Sequence, residues 1–262
     1  MESDIKIACI IPARYASSRL PGKPLLKLGG SPMIEWVYRR ALSVKKFNRV
    51  IVATDHPDIF NFIQSIGGEA KMTPENLTSG TDRVAVVASD IDAEIIVNLQ
   101  GDEPLIEPEV LRKVCDCFSD SEVQVSTPIT KIEKLEDLTN PNLARVVIDN
   151  QGDAIYFTRA VIPYFRDERA IAKWYINHNY YKHIGIYAYR KDFLFHLTKL
   201  PEGNLEKIEK LEQLRILENG YKIRTVLTEY QARSVDTKED LKKTNRYIMN
   251  HHLVADNVHE KV

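Results

Sequence analysis

Residues 5–11 read IKIACII and residues 12–28 read PARYASSRLPGKPLLKL. The first run has little of the polar–apolar alternation of a half-exposed strand, so it is read as a strand buried on both faces. Proline ends it. The loop beyond carries three cations, Arg14, Arg19 and Lys23, and a Pro21-Gly22 pair. Cations so close repel one another unless an anion lies among them. Arginine presents a planar fork that matches phosphate oxygens, lysine supplies a mobile point charge, and main-chain N–H groups complete a phosphate cradle. The bland alternative is a solvated loop whose cations face water. The pattern matches neither G-x-x-x-x-G-K-[ST] nor G-x-G-x-x-G.

Outward from this stretch, short apolar runs alternate with helical patterns. SPMIEWVYRRALSV (31–44) places Met33, Ile34, Val37, Ala41 and Leu42 at helical spacing, with Pro32 suited to the first turn. RVIVATD (49–55) is a strand, 57–66 a helix, EAKMT a short strand and GTDRVAVVAS a helix. EIIVNLQGDEP (94–104) is a strand ending in acids, followed by a helix over 108–118 and the strand QVSTPI. This order predicts an α/β fold with a mostly parallel, doubly wound sheet. Ligands of such sheets bind beyond the carboxyl ends of the strands. The opening loop, ATD and LQGDEP should therefore converge.

The second half differs. ARVVIDNQGDAIYFTRA (144–160) reads as a hairpin turning at 150–153 and HIGIYAYR (183–190) as one strand, while 163–182 is aromatic and polar and left unassigned. LEKIEKLEQLRILENG (205–220) reads as one amphipathic helix closed by Gly220, its stripe formed by Leu205, Ile208, Leu211 and Leu214. KIRTVLT is a strand and 237–249 the last helix. With no repeat or linker, the expectation is one domain carrying an antiparallel insertion at about 144–190.

Composition narrows the function. The 262 residues carry a net charge of −1, are 44% hydrophobic and 28% charged, and include three cysteines. That balance argues against a nucleic-acid or membrane partner, makes the basic cluster local, and points to a small anionic ligand in a reducing, cytoplasmic setting. Cys115 and Cys117 have no neighbouring ligand for zinc, and no apolar run reaches membrane-spanning length.

Several side chains invite two readings. Asp102 or Glu103 either holds Mg²⁺, which binds phosphate-bearing substrates through one or two carboxylates, or caps the helix near 108. In SVDTKEDL (234–241), Thr237 and Asp240 form a capping box, which leaves Asp236 one residue outside it. His183, Gly185, Tyr187 and Tyr189 share one face of their strand. Glu212 either flanks the apolar side of its helix or pairs with Arg215 at the surface. In SGTDR (79–83), Ser79 or Thr81 is a candidate cap beside Arg83.

IIPARYASSRLPGKPL, VATD, SGTDR, NLQGDEPLI, YFTRAVIP, HIGIYAYR, IEKLEQLRIL and VDTKEDL occur in that order over nearly the whole chain. Together they resemble the 3-deoxy-manno-octulosonate cytidylyltransferases, which activate the eight-carbon acid sugar Kdo for lipopolysaccharide. The resemblance implies a Rossmann-like nucleotidyltransferase sheet, a homodimer, and transfer of CMP from CTP with Mg²⁺. Arg14 and Lys23 would hold the CTP phosphates, helped by Ala13, Ser17, Arg83 and Gln100, with Arg14, Lys23 and Asp102 as the catalytic set. Arg19, Gln100, Arg159, His183, Tyr187, Glu212 and Gln213 would form the sugar pocket, and Asp102 and Asp236 would hold the metal. One departure stands out: after Pro163 the chain reads YFRDERAIAKWYINHNYYKH, where the family often has a Trp-Asp pair. This leaves 8-amino-Kdo or another acid sugar as an alternative substrate. A reading of another class is a non-catalytic nucleotide binder on the same fold.

Overall fold

In the computed structural model, which describes residues 5–16 and 20–255, the opening run forms β1 (Ile7–Ala13), buried at all seven positions. Ile10 and Ile11 have no solvent exposure, and burying each such side chain is worth about 1.5–3 kcal/mol. A small hairpin, β2 (Lys27–Leu28) and β3 (Ser31–Pro32), leads into α1 (Met33–Leu42). Then come β4 (Arg49–Thr54), α2 (Pro57–Ser65), β5 (Glu69–Met72), α3 (Gly80–Ala88), β6 (Ile95–Asn98) and α4 (Pro108–Asp116). The chain contacts divide into two compact units, Met1–Arg112 with Ala232–Val262 and Lys113–Gln231.

In the first unit the strand order is β5-β4-β1-β6, and every pairing is parallel. The chain steps outward from β1 through β4 to β5, then returns to the other edge of β1 as β6. Right-handed crossovers place α1 and α2 on one face and α3 on the other. The reversal makes a topological switch point between β1 and β6, where the outgoing loops diverge and leave a crevice. Of the residues expected on the inner side of α1, Leu42 is half exposed, whereas Met33, Ile34, Val37 and Ala41 are buried.

The second unit holds β7 (Val125–Lys131), α5 (Leu135–Thr139), β8 (Arg145–Ile148), β9 (Ala154–Thr158) and α6 (Trp174–Asn177). It continues with β10 (Tyr181–His183), β11 (Tyr187–Arg190), α7 (Lys191–Leu197), α8 (Asn204–Glu209), α9 (Leu214–Glu218) and β12 (Arg224–Thr228). β12 runs parallel along one edge of β7, and β10 and β11 run antiparallel along the other. β8 and β9 form the expected hairpin beyond β10.

Two elements differ from expectation. HIGIYAYR is two strands, because the Ile186 N–H turns back onto the Ile184 carbonyl at 2.7 Å across Gly185. The helix expected over 205–220 is interrupted at Lys210, which adopts φ 53. The break follows directly on Glu209, whose carboxylate accepts from the Arg159 N–H at 2.9 Å and from Thr158 Oγ. The Leu205–Ile208 part of the expected stripe consequently faces solvent, with Ile208 80% exposed, and only Leu211 and Leu214 are buried. Arg215 forks onto Glu206 at 2.6 and 2.7 Å.

α10 (Lys238–Asn250) belongs to the first unit and starts with the expected capping box, Thr237 with Asp240. It seats on the hairpin turn, where the Gly29 N–H donates to Asn245 Oδ1 at 2.8 Å. Gly29 has φ +57, and a Cβ there would lie 2.6 Å from Ile248 Cγ2. Gly29→Ala should therefore cost about 1–3 kcal/mol through overpacking, read as a lower melting temperature with the α10 seat loosened.

Candidate active site

The loop leaving β1 is closed on itself by the Gly22 N–H donating to the Tyr15 carbonyl at 3.1 Å. Gly22 takes φ +66, a conformation that favours glycine, and so turns Lys23 back toward the strand ends. Ser17 and Arg19 lie outside the described residues. The loop leaving β6 lies against β1: a Cβ on Gly101 would sit 3.0 Å from the Pro12 carbonyl oxygen and 3.8 Å from Ala13 Cβ. Gln100 is held at the same edge by donating to Asn98 Oδ1 at 3.0 Å. Arg14, Gln100 and Asp102 thus gather at the carboxyl ends of adjacent parallel strands, as the sheet rule requires.

Segment 234–236 joins them from far along the chain. The Val235 N–H donates to the Asp102 carbonyl at 3.0 Å and Ser234 Oγ donates to Glu103. Lys23 Nζ lies 2.7 Å from Asp102 Oδ2 and 3.0 Å from Asp236 Oδ1, with only 16% of its side chain exposed. Burial pulls the Lys23 ammonium pKa down, but the two carboxylates outweigh it and the net shift is upward. Asp236 is not the cap of α10, since Thr237 and Asp240 fill that role.

Arg83 is wholly buried. Its guanidinium donates to Asp55 Oδ2 at 2.8 Å and to Thr73 Oγ1. Burial lowers its pKa, the Asp55 charge opposes this, and nearby Arg14 lowers it further. Asp55 in turn accepts from the Tyr15 N–H at 3.2 Å, and the Tyr15 ring stacks on His56 at 3.8 Å. Arg83 is therefore joined to the loop after β1 through Asp55. Sequence reasoning placed Arg83 at a ligand and expected ATD, which ends in Asp55, to meet the opening loop, but gave Asp55 no role of its own.

The remaining expected residues belong to the second unit. His183 lies between the rings of Phe157 and Tyr187. Thr127 spends its hydroxyl proton on the Ile186 carbonyl at 2.7 Å, so at 2.8 Å it accepts from His183 Nε2. That assignment leaves Nδ1 as an acceptor. Burial lowers the imidazole pKa to about 3. Tyr187 is pushed up, first by burial and then by the Glu212 charge. Gln213 is 5% exposed, and its buried Nε2 has no hydrogen-bond partner. Such a donor is costly unless a ligand or water accepts from it. Arg159 spends its guanidinium on main-chain carbonyls, donating to Glu209 at 2.8 Å and Asn142 at 3.0 Å, and so braces the turn that carries Glu212 and Gln213.

Comparison with known proteins decides the family. Residues 8–223 match the cytidylyltransferase family model. A 3-deoxy-manno-octulosonate cytidylyltransferase from Geobacter metallireducens is 44% identical over 249 residues, covering 91% of this chain and 96% of that protein. The chain belongs to the 3-deoxy-manno-octulosonate cytidylyltransferase family. A relative of the same name from Solibacter usitatus is 45% identical over 242 residues, covering 92% and 94%. The solved structure of a CMP:2-keto-3-deoxy-manno-octonic acid synthetase complexed with CTP superposes with a TM-score of 0.87 at 42% identity, covering 95% of this chain and all of that one. Like these family members, the protein is a cytidylyltransferase with an α/β fold.

The histidine has a testable consequence for stability. Its folded pKa of about 3 lies below the ordinary 6.5, so between those values the unfolded chain binds the extra proton. Stability should fall as pH drops from about 6.5 toward 3, by less than about 1.4 kcal/mol per pH unit from this group. Urea titrations across that window should show a shallower acid slope for His183→Gln than for the unaltered chain.

Proposed function

We propose that this protein transfers CMP from CTP to the anomeric hydroxyl of Kdo, releasing pyrophosphate and supplying an activated sugar for lipopolysaccharide. The observation that carries the reading is the 42–45% identity, over more than nine-tenths of the chain, to proteins named for this reaction. In the reaction the hydroxyl oxygen bonds to the α-phosphorus, the bond to the bridging oxygen of pyrophosphate breaks, and the proton leaves to water. No covalent intermediate on the protein is needed; positioning and charge neutralisation do the work.

Arg14 and Lys23 would hold the triphosphate, with Ala13, Ser17 and Gln100 lining the nucleotide and Arg83 fixing the loop through Asp55. Lys23 Nζ already draws one oxygen of Asp102 and one of Asp236 to itself. Two hard oxygen donors on one cation fit Mg²⁺. Among the described residues no cluster of three or more His, Cys, Asp or Glu forms a metal cage. Mg²⁺ usually takes one or two carboxylates and completes its shell with phosphate and water. When bound, the ion would offset charge on the triphosphate. For the sugar, Gln213 Nε2 offers an unspent donor, His183 Nδ1 an acceptor, and Glu212 an acceptor for hydroxyls. Arg159 would hold that turn, and Arg19 would meet the sugar carboxylate. A sugar carrying an amine at carbon 8 is the alternative substrate, distinguished by running both acids in one pyrophosphate-release assay.

The insertion at 144–190 would also build a homodimer, with the exposed side chains Ile155, Tyr164 and Ile176 (60%, 74% and 67%) as the apolar groups it would cover. Three unbridged thiols, Cys9, Cys115 and Cys117, suit a reducing cytoplasm. No helix among the described residues is long and apolar enough to cross a membrane.

Two measurements test these readings. Asp102→Asn and Asp236→Asn should each melt normally yet lose about 10²–10³ in turnover, and the double variant should lose far less than the product of the two. A single variant with near-normal turnover and unchanged Mg²⁺ dependence would strip that residue of its metal role. Sedimentation at micromolar concentration should show a dimer that Tyr164→Asp with Ile176→Asp weakens; a fully active monomer would remove the interface.

A further inference from the structure

We infer that Lys23 holds the place of the metal ion between Asp102 and Asp236 until nucleotide arrives, so that the protein takes up a divalent ion with a triphosphate far better than the ion alone. The inference rests on the reading of the two aspartates as metal ligands. Lys23 Nζ lies 2.7 Å from Asp102 Oδ2 and 3.0 Å from Asp236 Oδ1, contact distance to both. An ion bound to those same oxygens would stand within a few ångströms of the ammonium. Like charges that close in a partly buried site repel strongly, so the two cations exclude each other.

Displacing Lys23 by a bare ion is unfavourable on two counts. The ammonium, 16% exposed where it now sits, must give up two carboxylate partners without gaining an anion. The ion must also shed water, which Mg²⁺ does reluctantly. A triphosphate changes both. It offers the ammonium oxygens to move to, within reach of a flexible four-carbon stem, and it supplies the ion with further ligands. The vacated carboxylates are then open. Lys23 would thus serve twice: as an internal counter-ion that keeps two otherwise repelling carboxylates together, and as a phosphate ligand once they have a better cation.

The test measures Mn²⁺ binding to the full chain without nucleotide, by the free-ion electron paramagnetic resonance signal. Removing Lys23 should tighten metal binding even though the same change harms turnover. Lys23→Met is expected to bind Mn²⁺ at least about tenfold more tightly than the unaltered chain, a difference of about 1.4 kcal/mol. Arg14→Met removes the same charge from the same loop and should move the affinity much less. An unchanged affinity in Lys23→Met, an equal gain in Arg14→Met, or no Mn²⁺ binding by either Lys23 form overturns the inference. A second measurement needs no variant: lysine acylation mapped by mass spectrometry should label Lys23 faster in saturating Mn²⁺ without nucleotide, where the ion expels the ammonium and no anion receives it, than in EDTA, and equal or slower labelling overturns it. An enzyme that makes CMP-sugar yet fails these tests loses only the place-holding role. A protein that makes no CMP-sugar with any acid sugar loses the underlying reading, and this inference with it.

Discussion

Parallel pairing of β1 along both its edges is the constraint from which the nucleotide-side geometry follows. A strand with no exposed face can satisfy its main-chain groups only through neighbours on either side, and β4 and β6 supply them. Because both neighbours run parallel, Ala13, Thr54 and Asn98 all end at one edge. Every loop that leaves there must share the same small volume. The cations of one loop and the acid of another therefore meet without any sequence proximity.

What meets there is balanced by charge. Lys23 answers Asp102 and Asp236; Arg83 answers Asp55. The two arrangements serve different ends. Arg83 has no exposure, and breaking its pair would leave an uncompensated charge in the interior, so that pair acts as fixed scaffolding beneath the Tyr15 loop. The Lys23 cluster is wetter, with Asp236 42% exposed, so its partners can be exchanged for others.

The parallel half of the fold was legible because continuous apolar strands and Gly/Pro punctuation are one-dimensional signals. The capping box at Thr237 and the turn at 150–153 were equally local. The failures at 205–220 and at Arg83 share a physical cause, partners remote in sequence, whereas the break within 183–190 is a local turn. Helical periodicity over 205–220 ran unbroken on paper, but Glu209 is claimed by Thr158 and the Arg159 N–H, 50 or more positions earlier. The strand over 183–190 alternated well, yet Gly185 let the chain fold back between β10 and β11. Arg83 was placed at a helix start and, by resemblance, on the CTP side, and only the position of Asp55 shows what it pairs with in the interior. His183, Tyr187 and Gln213 were singled out by resemblance, while the orphan donor on Gln213 is visible only once its surroundings are built.

The first unit is assembled from two stretches of chain, Met1–Arg112 and Ala232–Val262, with Lys113–Gln231 between them. On a ribosome the parallel sheet could form early, with Lys23 and Asp102 already in place. Asp236 cannot join until the whole intervening unit has been synthesised. A nascent chain would thus carry a folded half-site for the length of that interval, able to gather anions but lacking the carboxylate on which catalysis is proposed to depend. Placing Lys113–Gln231 before Asp236 thus ties completion of the Lys23 cluster to translation past that whole unit.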